Sequence, residues 1–261
     1  LALPPRKIGC PQPQTPSQNW PSPTPLRHNW GNVAYARKVR EYERKSYLLD
    51  WRGLSTSMIT FYLIRHGESE GNVLGVHPGD LPFHLTDLGR TQADGTGKAL
   101  SDIPLDRVYA SDHVRTQETA ALIMRYQTCD VEFDSRLWDL VQGELRGLTG
   151  VQVRERFPEV AKAMAEDVYT AARPGGESFG DLQIRAWDFM QDVVSRWRNH
   201  KDARIGVVTH GGVINVILRK ILAGPIRPIV RNCSISIVTW ESDIWAVQKD
   251  NDVSHLRQLA P

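Results

Sequence analysis

The chain has few cysteines, and they lie far apart. Its 261 residues include three, Cys10, Cys129 and Cys233. A disulfide framework or a zinc ribbon needs paired or closely spaced cysteines, so we expect free thiols in a reducing compartment. No HExxH sequence and no cluster of aspartates is present either, and we therefore expect no metal and no cofactor.

Long hydrophobic runs are also missing. No apolar stretch approaches the ~20 residues that a membrane-spanning helix needs. The first residues lack the charged start, apolar core and small-residue cleavage site of a signal peptide. Hydrophobic residues make up 41% of the chain and charged residues 24%, as is ordinary for a globular protein. We expect a soluble, cytoplasmic protein that does not act at membranes.

An excess of positive charge is confined to the start of the chain. Residues 1–57 contain nine Lys or Arg and three Asp or Glu, a balance of +6. Residues 58–261 contain 23 Lys or Arg and 27 Asp or Glu, a balance of −4. The main body therefore gives no support to nucleic-acid binding.

The leading segment also differs in proline content. Eight of the chain's 16 prolines lie in residues 1–25, which predicts a disordered or polyproline-like stretch. Residues 33–50 could form a short basic helix that docks on a partner or a membrane surface, but we favour an appendage with no catalytic role. Met58 directly precedes the first convincing strand, and we interpret it as a candidate natural start. The predicted organisation is a leading segment, 1–57, and one domain, 58–261.

From Met58 onward, predicted strands and helices alternate. Strands are predicted at 59–65, 107–110, 131–134, 204–209, 235–240 and 244–248. Helices are predicted after Thr86, from Ser111 to about Tyr126, after Ser178, and at 212–222, with an irregular and then helical stretch at 137–172. This alternation predicts a three-layer α/β/α sandwich with a mostly parallel central sheet.

Three of these strand ends carry histidine or arginine. Arg65 and His66 end the first strand, Arg115 follows the second in YASDHVRTQETA, and His210 ends the strand in VVTHGG. Ligands of open α/β sheets bind at the carboxyl ends of the strands. Two guanidinium groups and two imidazoles suit a phosphoryl dianion, because arginines neutralise its oxygens and one imidazole can attack phosphorus.

Five motifs together resemble a known family. LIRHGESEGN, LTDLGRTQA, YASDHVRTQETA, PGGES and VVTHGGV are similar, in that order, to the motif series of the histidine phosphatase superfamily, which has the phosphoglycerate mutase-like fold. The resemblance covers Met58 to about Leu256. It implies that His66 is the nucleophile and forms a phosphohistidine. It also implies a phosphate pocket that consists of Arg65, Arg115 and His210, with a further polar contact from Asn72 and a backbone N–H from Gly211.

The proton-donating acid of the family has a less direct counterpart in this sequence. The family has a Glu in a Leu-x-Glu-x-x-x-Gly-x-x-x-Gly stretch, and here Leu137, Gly143 and Gly147 keep that register. The acid then falls on Asp139, whose side chain is one methylene shorter and would need a backbone shift for the same reach. Glu144 is the alternative proton donor, although a solvated loop residue is the simpler interpretation of it.

The other histidines have no comparable motif. His77 and His84 follow the nucleophile and could contact substrate, and His113 is expected to point away from Arg115 in helical order. For these and for His28, His200 and His255 we expect ordinary structural or surface roles.

The resemblance implies an enzyme, a phosphatase that hydrolyses small phosphomonoesters without metal. Two alternatives stay open: a cofactor-dependent phosphoglycerate mutase and a non-catalytic binding module on the same fold. The chain lacks the mutases' Glu-Arg-His-Tyr-Gly type stretch and their longer insertion, and its ending looks like that of small bacterial phosphatases. The expected partner is a small phosphorylated metabolite, such as a phosphoglycerate, a sugar phosphate or a nucleotide-derived phosphate. A homodimer stays open.

Overall fold

Six strands form one sheet in the part of the chain that the computed structural model describes, residues 57–226 and 229–259. The strands are β1 (Met58–Arg65), β2 (Arg107–Ala110), β3 (Val131–Phe133), β4 (Ala203–Thr209), β5 (Ile235–Glu241) and β6 (Ile244–Asp252). Their order in the sheet is β3-β2-β4-β1-β5-β6. All six predicted strands are present, each within a few residues of its predicted bounds.

The sheet is mostly parallel, as predicted. β4 pairs in parallel with both β1 and β2, and β2 pairs in parallel with β3. β5 and β6 form an antiparallel hairpin, and β5 adds to the sheet antiparallel to β1. β1 lies in the interior of the sheet with helices over both faces, which explains why its sequence is a near-continuous apolar run rather than an alternating one.

Seven α-helices in the described residues flank this sheet. They are α1 (Glu70–Leu74), α2 (Asp87–Ala99), α3 (Val114–Ile123), α4 (Gly150–Arg156), α5 (Pro158–Glu166), α6 (Phe179–Trp197) and α7 (Gly211–Leu222). On one face, side chains of α6 and α7 pack with Phe61, Leu63 and Val207. On the other, Ile123 of α3 packs with Ile64 and its neighbours. The predicted three-layer sandwich is therefore confirmed.

Helix α6 shows how the sequence specifies these layers. The Ser178 hydroxyl accepts a hydrogen bond from the Asp181 amide at 3.1 Å, and the Asp181 carboxylate accepts one from the Ser178 amide at 2.9 Å. This reciprocal capping begins the helix at the predicted place. Its predicted apolar face is buried from Leu182 to Val193, with Trp197 partly buried at the end.

The helix after β2 begins later than predicted. Ser111 was expected to cap it, but the cap residue is His113, and the α-helix ends at Ile123 before a 3-10 turn, Met124–Tyr126. Ser111 instead continues the strand pairing, because its amide donates to the Val208 carbonyl at 3.1 Å. Its hydroxyl is thereby held at the sheet edge rather than at a helix end.

The predicted leading segment, apart from its last residue, lies outside the described residues. Among the helices that are described, none is both long enough and apolar enough to cross a bilayer.

Candidate active site

The ends of three neighbouring strands meet at one edge of the sheet. His66 directly follows β1, His210 directly follows β4, and Arg115 lies in the first turn of the helix after β2. The His66 amide donates to the Thr209 carbonyl at 2.9 Å, which extends the pairing of β1 and β4 beyond the strands. His66, Arg115 and His210 are all buried, and the two imidazole rings lie 5.3 Å apart between centroids. The structure thus brings together residues that are up to 144 positions apart in the chain.

His66 is oriented by its own backbone. Its Nδ1 lies 2.7 Å from the Gly67 carbonyl oxygen, so we assign the proton to Nδ1 and the lone pair to Nε2. Burial lowers the pKa of His66 well below its usual value, and the neighbouring Arg65 and His210 lower it further. The ring is therefore neutral near pH 7, and Nε2 is available as a nucleophile.

The loop that carries His66 is held on both sides. A Cβ atom on Gly67 would lie 2.4 Å from the Gly89 carbonyl oxygen, so only glycine allows this approach to α2. On the other side, the Asn232 side chain donates to the His66 carbonyl at 3.1 Å and to Asn72 Oδ1 at 3.0 Å. Asn232 was not predicted as a site residue, because it lies 166 positions from His66 and the resemblance of the chain's ending to small bacterial phosphatases assigns it no role.

Asn72 organises the same loop. Its Oδ1 accepts hydrogen bonds from the Ser69 amide at 3.1 Å and from Asn232. This carbonyl oxygen is therefore committed to the loop, and a contact between Asn72 and phosphate would have to come from its Nδ2.

Two arginines lie beside the histidines, Arg115 completely buried and Arg65 partly buried. Arg65 donates from Nη1 to the Val230 carbonyl, and Arg115 donates from Nη2 to the Gly79 carbonyl at 2.9 Å. The Nε–H groups of both arginines are buried and make no hydrogen bond within the described residues. Buried donors without partners are costly, and these two suit the oxygens of a phosphoryl group.

His210 is held by a hydroxyl from the neighbouring strand end. Its Nε2 lies 2.9 Å from Ser111 Oγ, and we assign the Ser111 hydroxyl as the donor. His210 then carries its proton on Nδ1, a buried atom without a hydrogen-bond partner in the described chain. Burial and Arg115 lower the pKa of His210 well below its usual value. A neutral His210 can thus donate a hydrogen bond from Nδ1 to a phosphate oxygen.

Asp139 lies in this site, in the register that the family motif predicts. Its Oδ2 accepts a hydrogen bond from Arg115 Nη2 at 3.1 Å and is 3.7 Å from His210 Nδ1. Its Oδ1 accepts from the Leu140 amide at 2.9 Å, and its backbone carbonyl accepts from Arg185 at 2.9 Å. Glu144 is exposed in the turn Gly143–Leu145 and does not line the cavity beside Asp139.

Helix α7 begins at the site. Gly211 is its first residue, and a Cβ atom there would lie 3.5 Å from Arg65 Nε. Amides in the first turn of a helix have no partner within the helix and favour an anion. Gly211 therefore lies close to Arg65, at the end of the helix that favours an anion. The described residues contain no group of three His, Cys, Asp or Glu side chains that could hold a metal ion.

A further histidine lies beside His210. His113 was expected to point away from Arg115, yet its ring lies 5.0 Å from that of His210 and it is buried. It is the residue before α3 rather than part of it, so helical order does not determine its direction. His84 is exposed, and its Nδ1 lies at hydrogen-bond distance from Glu118 Oε1, 2.6 Å. The Nε2 of His255 is hydrogen-bonded to Thr96 Oγ1 at 3.1 Å.

Burial and Arg173 lower the pKa of His77 while Asp139 raises it, so His77 lies near the site, whereas His200 follows the end of α6. His77 is half-buried in the loop after α1, and His200 is exposed with its ring against Trp197. His28 lies outside the described residues.

Known proteins match this chain over most of its length. The model of the histidine phosphatase superfamily (branch 1) matches residues 61–253. A metal-independent phosphoserine phosphatase of Arabidopsis thaliana is 32% identical over 203 residues, which are 76% of this chain and 83% of that protein. A protein of Erwinia tasmaniensis named probable phosphoglycerate mutase GpmB is 32% identical over 214 residues, 78% of this chain and 97% of that protein.

Solved structures agree with these matches. The structure of a mycobacterial glucosyl-3-phosphoglycerate phosphatase is 28% identical, with a TM-score of 0.66 over 74% of this chain and 99% of that one. Bacillus stearothermophilus YhfR is 29% identical, with a TM-score of 0.71 over 76% of this chain and 100% of that one. The predicted family is thus confirmed: the chain belongs to the histidine phosphatase superfamily.

Proposed function

We propose that this protein is a phosphoric monoester hydrolase that removes phosphate from small phosphorylated metabolites through a phosphohistidine on His66. The observation that carries the proposal is the hydrogen bond from His66 Nδ1 to the Gly67 carbonyl, 2.7 Å long. It leaves Nε2 unprotonated in a ring that lies 5.3 Å from that of His210 and is acted on by the charges of Arg65 and Arg115. Relatives that are named as phosphatases support the same reaction class.

In the first step, His66 Nε2 attacks phosphorus, and the bond between phosphorus and the ester oxygen breaks. Arg65, Arg115 and the His210 Nδ1–H group stabilise the charge on the phosphoryl oxygens. Asp139, protonated at this stage, gives its proton to the leaving alkoxide.

In the second step, water attacks the phosphohistidine. Asp139, now ionised, takes a proton from that water, the bond between phosphorus and Nε2 breaks, and phosphate leaves. His66 returns to its neutral form with its proton still on Nδ1. One carboxyl group thus acts as acid and then as base.

A phosphoglycerate mutase is the alternative, because it would use the same intermediate. A mutase must hold its acceptor and exclude water until the phosphate returns. In this chain the loop after α1 brings Asp80 to the cavity beside Asp139, where it pairs with Arg146 at 2.8 Å. Because Arg146 is engaged by Asp80, it is not free to bind the carboxylate of a phosphoglycerate, and we expect water to be the acceptor.

Trapping the intermediate tests the proposal. The wild-type enzyme is mixed with a ³²P-labelled monoester, quenched in alkali and digested. We expect an acid-labile label on the peptide that contains His66, and none in His66→Asn. His84→Asn, at an exposed histidine outside the site, should retain the label. Near-normal turnover by His66→Asn would overturn the proposal.

The fate of the phosphate separates the two reactions. We expect steady phosphate release from simple monoesters, unaffected by chelators. Conversion of 3-phosphoglycerate to 2-phosphoglycerate should be at trace level even with 2,3-bisphosphoglycerate added. Fast interconversion with little free phosphate would make the mutase assignment correct.

A further inference from the structure

The cavity beside Asp139 has a volume of about 240 Å³. The side chains of His113, Trp138, Gln142, Asp80 and Arg146 line it together with Asp139. His113 also contacts the site directly, because its ring lies 5.0 Å from that of His210. The cavity therefore lies where the alcohol part of a bound phosphomonoester would extend from the phosphate pocket.

Two buried polar side chains in this cavity have unpartnered atoms. His113 is 9% exposed and Gln142 is 7% exposed. Both ring nitrogens of His113 and the Oε1 of Gln142 make no hydrogen bond within the described residues. Native proteins leave few buried polar atoms unpaired. Three such atoms from two residues, 29 positions apart in sequence and lining one cavity, indicate a surface that hydrogen-bonds a ligand.

The charges around these atoms are already compensated. Asp80 and Arg146 bind each other, with distances of 2.8 and 2.9 Å from Nη1 to the two carboxylate oxygens. Asp139 is paired with Arg115. His113 adds no charge near pH 7, since burial and Arg115 lower its pKa. The cavity thus offers a neutral donor and neutral acceptors, which suit hydroxyl groups better than a second anion.

The geometry points to a subsite, formed by His113 and Gln142, that hydrogen-bonds hydroxyl groups of the leaving alcohol and selects polyhydroxylated phosphomonoesters. The inference rests on the proposed phosphatase function and narrows its substrate class to phosphorylated sugars and polyols. Gln142 Oε1 accepts a hydrogen bond from one hydroxyl, while the neutral His113 ring donates from one nitrogen and accepts at the other. Trp138, 37% exposed and with its ring 5.5 Å from that of His113, offers an apolar face to the carbon skeleton.

A matched pair of substrates tests this subsite. Glycerol 1-phosphate and n-propyl phosphate share a three-carbon chain and a primary ester, and they differ in two hydroxyl groups. We expect wild type to favour glycerol 1-phosphate in kcat/KM by about tenfold or more, which is the size that hydrogen bonds to buried groups support. Gln142→Met is close to isosteric and His113→Phe keeps an aromatic ring, and both remove the nitrogen and oxygen atoms. Each should lower that ratio by about tenfold, whereas Val141→Ala, an apolar change in the same cavity, should keep it within about twofold.

The ratio of the two kcat/KM values in each variant is compared with the ratio in wild type, so an intrinsic difference in reactivity between the two esters cancels. Thermal midpoints check folding, and if one variant fails to fold the other decides. Equal losses on both substrates, or an unchanged ratio in a folded variant, would overturn the subsite. Turnover of p-nitrophenyl phosphate by wild type tests the proposed function separately. If the wild-type enzyme releases no phosphate from any ester, the hydrolase proposal fails and the subsite fails with it.

Discussion

Arg115 and Asp139 are bound to each other in the absence of substrate, with Nη2 of the arginine 3.1 Å from Oδ2 of the aspartate. The arginine is completely buried and the carboxylate is 15% exposed. The cation that is expected to bind phosphate is therefore also the counter-ion of the proposed acid. An incoming phosphoryl dianion competes for the same donors.

Replacement of the acid should affect poor leaving groups most. In Asp139→Asn we expect turnover of an alkyl phosphate to fall by about 10²–10⁴, the usual contribution of a positioned acid. Turnover of an aryl phosphate should fall less, because that leaving group hardly needs a proton. Steady-state kinetics on both esters measure the difference. If Glu144→Gln shows this pattern and Asp139→Asn does not, Glu144 is the acid.

The same pair predicts an effect on phosphate binding. In Asp139→Asn, phosphate no longer competes with a carboxylate for Arg115. The repulsion between that carboxylate and phosphate is also removed. We expect inorganic phosphate to bind several-fold more tightly than to wild type, as measured by calorimetric titration at pH 7.5. Glu144→Gln is the matched control and should bind as wild type does. Weaker binding in Asp139→Asn would show that the ion pair does not compete with the ligand.

Ser111 is a positioning residue for His210. Its hydroxyl fixes the ring with the proton on Nδ1, so Ser111→Ala should lower kcat by about tenfold, because part of the His210 population adopts the wrong tautomer. KM should change less, since the arginines remain. Ser111→Thr keeps the hydroxyl and should recover most of the activity. A loss of equal size in both variants would point to packing rather than to the hydrogen bond.

The buried histidines should make stability depend on pH in one direction. His66 and His210 have pKa values well below the ordinary 6.5, so the unfolded chain binds more protons than the folded one as the pH falls below that value. Each of these histidines then lowers the free energy of unfolding by up to about 1.4 kcal/mol for every unit by which the pH falls. Urea unfolding at pH 7.5 and 5.5 should therefore show a smaller loss for His66→Asn than for wild type.

His84 provides the control for that measurement. Glu118 raises the pKa of this exposed histidine, so its effect has the opposite sign and His84→Asn should not reduce the pH dependence. Identical losses in wild type and His66→Asn would show that His66 titrates normally in the folded protein.

Much of the site could be predicted because its residues directly follow apolar strands. The apolar run before Arg65 and His66, and the one before His210, are local patterns, and parallel strands necessarily bring their carboxyl ends to one edge. The register of Leu137 and Gly143 likewise located Asp139. The inferences about the strand ends need only the period of the chain and the order of its elements, whereas Asp139 was indicated by the resemblance to the family motif.

The tertiary structure decided which side chains face one another. Ser111 resembled a helix cap, yet its hydroxyl binds a histidine 99 positions away, and Asn232 supports His66 across 166 positions. His113 and Gln142 lie within two of the family motifs, which assign them no role, and only the packing of the loop that carries Asp139 against the start of α3 brings both residues to one cavity. Local sequence patterns determine where a strand ends and which residues follow it. The direction of a side chain beyond that point depends on contacts between distant segments, and these exist only once the sheet and its covering helices are assembled.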